Sequence, residues 1–177
     1  MAAPAADDCY ALLKQSATSF ADHCRALVAK PEAIWFPHFG FQAMPLSRCL
    51  IASDPALQAI EQICPIAQIG ILRMPDHWVY HWHRDQSRQA CINMLLSIAH
   101  HSHTLFGQSI NSANMHCLEL SYEPDRYYLF NNQTPHTVIN LDVDRHLFSL
   151  EFAEPLSYGE LRQRFAAAGL LEQVGIS

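Results

Sequence analysis

A mainly β fold, an antiparallel sandwich or barrel with helices at either end, is predicted from three features of the sequence. From about Ile69 onward, short strand-like runs follow one another: 69–73, 77–84, 90–98, 104–109, 116–122, 127–130, 136–141 and 145–153. Turn residues break these runs, notably Asn131-Asn132-Gln133-Thr134-Pro135 and Asp142-Val143-Asp144. No helical periodicity lies between them, so βαβ units are not expected.

Helical signals sit at the two ends. Leu13, Ala17, Phe20, Cys24 and Leu27 recur at steps of four and three, which predicts a helix capped by Asp7 or Asp8 and stopped by Pro31. The aromatic segment 35–41 follows, and periodicity leaves it open as loop or short strand. Asp54-Pro55 is a cap followed by a first-turn proline; Leu57, Ile60 and Cys64 share the face of the helix it opens, and Pro65 ends it. After the β runs, Ser157-Tyr-Gly-Glu160 is a capping box that opens a last helix with Leu161, Phe165 and Ala168 on one face and Gly169 as its stop. One domain is expected over 1–177: a helical N-terminal portion (1–66), a β core (67–153) and a C-terminal helix (154–177).

Composition narrows the function. A chain of 177 residues, half of them hydrophobic and 16% charged, is a folded globule able to build its own core. Its formal charge of −6 and the lack of any basic run argue against a nucleic-acid or anionic-membrane surface. No apolar stretch approaches the ~20 residues that span a bilayer. The N-terminus lacks the basic and apolar regions of a signal peptide, so a cytoplasmic location is expected. Six widely spaced cysteines with no CxxC pair read as free thiols. Eleven histidines stand out, five of them between His81 and His103. Histidine is the commonest metal ligand, so their spacing decides whether they matter.

Val79-Tyr-His-Trp-His-Arg-Asp85 alternates like a strand, which puts His81, His83 and Asp85 on one face. Alone, His83 and Asp85 read equally well as a hydrogen-bonded strand end. A distant His136, opening a strand just after a turn, would complete two histidines and a carboxylate, the facial set of non-haem Fe(II) oxygenases. The strands at 136–141 and 145–153 are expected to form a hairpin through 142–144. Arg145 would then lie near the strand of His136, as a planar fork suited to a carboxylate. The alternative for Arg145 is a surface pair with Asp142 or Asp144.

His83-x-Asp85, His136 and Arg145 together resemble the pattern of Fe(II)/2-oxoglutarate-dependent oxygenases. The segments 83–95 and 128–140 are similar to the aspartyl/asparaginyl β-hydroxylase and prolyl-hydroxylase-like branches, and the resemblance covers about 69–153. Asp85 departs from those aspartyl/asparaginyl hydroxylases that lack a carboxylate ligand. Arg145-His-Leu147 replaces the frequent Arg-x-Ser, so a hydroxyl assisting the arginine must come from elsewhere.

The resemblance implies a double-stranded β-helix core (jelly roll, cupin-like). It implies a dioxygenase that hydroxylates an unactivated C–H bond of an amino acid, peptide residue or small metabolite. Fe(II) would be held by His83, Asp85 and His136, with 2-oxoglutarate and O2 as cosubstrates. Arg145 would bind the far carboxylate of 2-oxoglutarate, and Arg88 and Asn93 are secondary candidates for cosubstrate contact. Against these stand a salt bridge for Arg88, a core hydrogen bond for Asn93 and a turn role for Asn140. A cupin-type metalloenzyme with His81, His83 and His136 is a second reading, though Ser87 and Arg88 stand where cupins carry glutamate. A third is a non-catalytic jelly-roll binding or sensor protein. His100, His101 and His103 read as a solvated loop cluster, and the substrate and oligomeric state stay open.

Overall fold

The computed structural model describes residues 3–97, 101–111 and 113–172. Its elements in chain order begin with a short helix α1 (Ala6–Cys9), strand β1 (Tyr10–Ser16), helix α2 (Thr18–Val28), and strands β2 (Phe36–His38) and β3 (Phe41–Leu46). A 3-10 turn (Arg48–Ser53), helix α3 (Pro55–Ile63), and strands β4 (Ile66–Met74), β5 (Trp78–His83) and β6 (Ala90–Leu95) come next. Strands β7 (Ser102–Ser109), β8 (Met115–Glu119), β9 (Arg126–Asn131), β10 (His136–Asn140) and β11 (Arg145–Phe152) lead to helix α4 (Tyr158–Ala167).

The strands form two antiparallel sheets. The larger runs β1-β9-β6-β11-β4-β3-β2 and the smaller β5-β10-β7-β8. Alternation along β11 explains how one strand serves two layers. Phe148, Leu150 and Phe152 join the main core with Phe20, Leu57 and Phe165 of the helices. Arg145, Leu147 and Glu151 face the other way, into a cavity, and Ser149 between them accepts from Arg88. Strand β6 is buried at every residue because both its faces are covered. The helices α3 and α4 begin where their caps require: Asp54 accepts from the Leu57 amide at 2.8 Å, and Ser157 and Glu160 complete a capping box. Each such cap contributes about 1 kcal/mol.

Three expectations are corrected. The helix expected from Asp7 or Asp8 to Pro31 is broken: Tyr10–Ser16 is a strand, with Tyr10 opposite Phe130 and Leu12 opposite Tyr128. Leu13 satisfies a strand period as well as a helical one, and β1 covers β9 to become the edge strand itself. The N-terminal portion is therefore not helical alone, since it also adds β2 and β3. Finally, β10 and β11 do not form a hairpin. β10 pairs with β5 and β7 in the small sheet, whereas β11 pairs with β4 and β6 in the large one. The turn at 142–144 crosses between sheets, and Asp144 pairs with Arg73, leaving Arg145 to the interior.

All six cysteines are free, four of them buried. Among the described residues no helix is long and apolar enough to cross a membrane. His100 lies outside the described residues. His101 is exposed, and His103 sits on β7 within 2.7 Å of Glu119.

Candidate metal centre

His83 closes β5, and His136 opens β10 directly opposite it. Their rings lie 4.2 Å apart, centroid to centroid. Asp85, two residues past the end of β5, brings Oδ1 to 3.5 Å from His83 Nε2 and 3.9 Å from His136 Nε2. One ligand atom from each of the three residues lies within 4.8 Å of the others.

The backbone fixes the tautomers. His83 Nδ1 meets the His81 carbonyl at 2.8 Å, and His136 Nδ1 meets the Thr134 carbonyl at 2.9 Å. A carbonyl only accepts, so both Nδ1 atoms carry a proton and Nε2 is the ligating atom of each ring. Burial pushes the His136 imidazole down to about 4, against the pull of the Thr134 bond, and keeps it neutral near pH 7. Burial works against the Asp85 carboxylate as well. Its contact with His83 and the charge and hydrogen bond of Arg88 outweigh that and hold it at about 2. Burial pulls the His83 imidazole down, but its contact with Asp85 outweighs that and raises it, so a cation binds there by displacing the His83 Nε2 proton. The set is then two neutral imidazoles and one carboxylate, which suits a divalent first-row cation with open positions.

Asp85 is itself gripped. Its Oδ2 accepts from Arg88 Nε at 2.9 Å and from Asn132 Nδ2 at 2.8 Å, which leaves Oδ1 toward the histidines. Gln133 Nε2 donates to the carbonyls of Asp85 and Arg88, each at 3.0 Å, and the Asp85 amide donates to the Asn132 carbonyl. The 131–135 turn, read from sequence as a turn alone, thus braces the loop after β5. Partners of this kind typically account for 10–100-fold in metal affinity. Asn132→Ala is expected to weaken Mn(II) or Fe(II) binding by about 10–100-fold without changing the number of ligands, as read by metal titration with electron paramagnetic resonance for Mn(II).

His81 is exposed and outside this group, although strict alternation had put it beside His83. A bulge explains the change. Between the pairs His136–His83 and Val138–Tyr80, β10 advances two residues and β5 three. Tyr80 is thereby brought to the face of His83, 4.3 Å from it ring to ring.

The three residues line a cavity of about 480 Å³ between the sheets. Its interior ends on Arg145, which is only 4% exposed. Arg145 Nη2 donates to Thr104 Oγ1 at 3.1 Å, the guanidinium lies 5.7 Å over the Tyr122 ring, and Nε has no partner. Thr104 supplies the hydroxyl that the Arg145-His-Leu147 sequence lacks. No carboxylate pairs with Arg145 among the described residues, and burial draws its pKa down, with Tyr122 opposing. Thr104 lies opposite Val138, two residues along β10 from His136, or about 7 Å at the rise of an extended strand. Asn93 also lines the cavity: its side chain hydrogen-bonds the buried Cys91, as a core role requires, while its buried Oδ1 has no partner. Asn140 is structural: its amide donates to the Pro75 and Val143 carbonyls.

No family model matches the sequence, and no curated protein does either. Solved structures match the fold. A prolyl hydroxylase from Trichoplax adhaerens, in complex with a hypoxia inducible factor peptide fragment, aligns at a TM-score of 0.59 and 13% identity over 88% of this chain and 86% of that one. A Pseudomonas putida prolyl-4-hydroxylase aligns at 0.56 and 14% identity over 81% and 91%. The non-haem alpha-ketoglutarate-dependent epimerase SnoN from nogalamycin biosynthesis aligns at 0.58 and 10% identity over 84% and 78%. Two antiparallel sheets enclosing a His-Asp-His group give this chain the double-stranded β-helix fold of the solved 2-oxoglutarate and iron(II) oxygenases.

Proposed function

We propose that this chain is an Fe(II)/2-oxoglutarate-dependent dioxygenase that hydroxylates an unactivated C–H bond. The observation that carries the reading is Arg145. A buried guanidinium without a carboxylate is costly, and this one lines the same cavity as a ligand set suited to iron, hydrogen-bonded to Thr104, which lies opposite the residue two along β10 from His136. A diacid that meets the metal with one end and Arg145 with the other satisfies both. His83 and His136 would hold Fe(II) through Nε2, and Asp85 through Oδ1, with Arg88 and Asn132 keeping that oxygen in place. Arg145 and Thr104 would bind the far carboxylate, while Leu147, Val138 and Met74 wall off water. Iron with 2-oxoglutarate and O2 supplies the oxidation: one oxygen atom enters the C–H bond, the other enters succinate, and CO2 leaves.

The geometry also speaks against a three-histidine centre, since His81 points away from the group. The experiment is anaerobic addition of 2-oxoglutarate to the Fe(II)-loaded protein. A weak visible band from the iron–keto-acid chelate is expected, followed on admitting air by slow succinate formation even without substrate. Iron demonstrably bound, with no band at saturating keto acid, removes 2-oxoglutarate from the reading.

A further inference from the structure

The mouth of the cavity is built differently from its interior. One side is the β2–β3 hairpin, whose tip Phe39-Gly40 turns through positive φ at both residues (43° and 84°). Such a φ is uncommon for a bulky side chain, so the turn holds Phe39 out at a conformational cost. Phe39 is 80% exposed and gains nothing from the core. Behind it the rings run inward in contact: His38 against Phe39 at 4.9 Å, Phe41 against Tyr80 at 4.3 Å, and Tyr80 against His83. Gly40 lies under the Tyr80 ring, where a Cβ would come within 3.6 Å. An aromatic wall thus leads from solvent to the metal group.

Arg84 is exposed and lines the same cavity. Three guanidinium groups line this cavity. Arg88 is committed to Asp85, and Arg145 stands at the interior end with Thr104. Arg84, next in sequence to the His83 ligand, has no hydrogen bond or ion pair among the described residues. It is the cation left over at the rim of a cavity of small-molecule size. Exposed apolar residues grouped beside a concave site mark a binding surface. Aromatic faces prefer flat apolar partners, and a free guanidinium prefers a carboxylate.

The geometry points to a small aryl carboxylate as the substrate class: its ring against Phe39, Phe41 and Tyr80, its carboxylate on Arg84, and a side-chain carbon toward the metal. This rests on the oxygenase reading above. A peptide would lie across the hairpin and have no fixed need of Arg84.

The test is calorimetry on the whole 177-residue chain loaded with Mn(II). The probes are phenylacetate, 3-phenylpropanoate, cinnamate, indole-3-acetate and 2-naphthoate, each paired with its primary amide. At least one acid is expected to bind about tenfold tighter than its amide, as the loss of one charged hydrogen bond implies. Arg84→Gln should abolish that preference, and Phe39→Ser should weaken acid and amide alike. The preference should persist at saturating 2-oxoglutarate and in Arg145→Ala, so failure of the cosubstrate assignment would leave this binding intact. Acids that bind no better than their amides overturn the inference, as do acids displaced by 2-oxoglutarate. So does tighter binding of a proline-containing peptide that is indifferent to Arg84→Gln.

Discussion

His136→Ala and His83→Ala are each expected to lose tight Fe(II) binding, with affinity falling by more than the roughly 10–100-fold typical of removing a supporting hydrogen bond. Each removes one of only three protein donors, and nothing nearby can replace it: Phe106 and Phe130 pack on the His136 ring, and His81 is turned to solvent. His136 is 5% exposed, so its truncation also leaves a cavity. His136→Gln, which keeps most of the volume, separates the two effects. It should restore the melting temperature toward that of the parent without restoring the metal. His81→Ala should leave affinity nearly unchanged. Metal titration and thermal unfolding on the same samples check all four. Retained affinity in His136→Ala, or its loss in His81→Ala, would give the centre to a different ligand set.

Strand content was legible because alternation and turn chemistry are local. Strands β4 to β11 fall on the expected runs within a few residues, and Asp54 and Ser157 cap α3 and α4 as their sequences require. The His-Asp-His group was legible as types and spacing, with His83, Asp85 and His136 brought together by β5, the loop after it and β10. What failed is non-local. A three-residue turn after Leu141 looks like a hairpin whether or not its strands share a sheet, and only the whole topology sends β11 to the other layer. The bulge in β5 leaves no mark in Tyr80-His-Trp-His83, yet it decides which histidine faces the cavity. Thr104 had no local signal either, being 41 residues from the arginine it supports. Asn132 and Gln133 did carry one. Amide side chains in a turn immediately before a ligand are well placed to donate to whatever that ligand faces.

Arg145→Ala is expected to weaken 2-oxoglutarate binding by about 10- to 150-fold while Fe(II) affinity stays near that of the parent. The guanidinium is buried, its Nε has no acceptor, and the partners it does have, Thr104 and Tyr122, are neutral. A charge-assisted contact to a carboxylate contributes roughly 1.5–3 kcal/mol, which at 1.4 kcal/mol per decade gives that range. The surface reading, a hairpin arginine worth at most about 1 kcal/mol, is incompatible with its place in the cavity. Arg145→Lys should recover part of the loss, since an ammonium restores the charge without the two-pronged fork. Thr104→Val should show a smaller loss of the same kind, because it removes the hydroxyl that orients the fork and leaves its charge. The stability effect runs the other way from most buried truncations. Without cosubstrate Arg145 is a desolvated cation with no anionic partner, so Arg145→Met is expected to leave the unliganded protein as stable as the parent or more so. It should also abolish the stabilisation that saturating 2-oxoglutarate gives the Mn(II)-loaded parent. Thermal unfolding with and without the keto acid reads both effects. An Arg145→Ala protein that binds 2-oxoglutarate as tightly as the parent would move the anchor to Arg88, the half-buried guanidinium of the cavity.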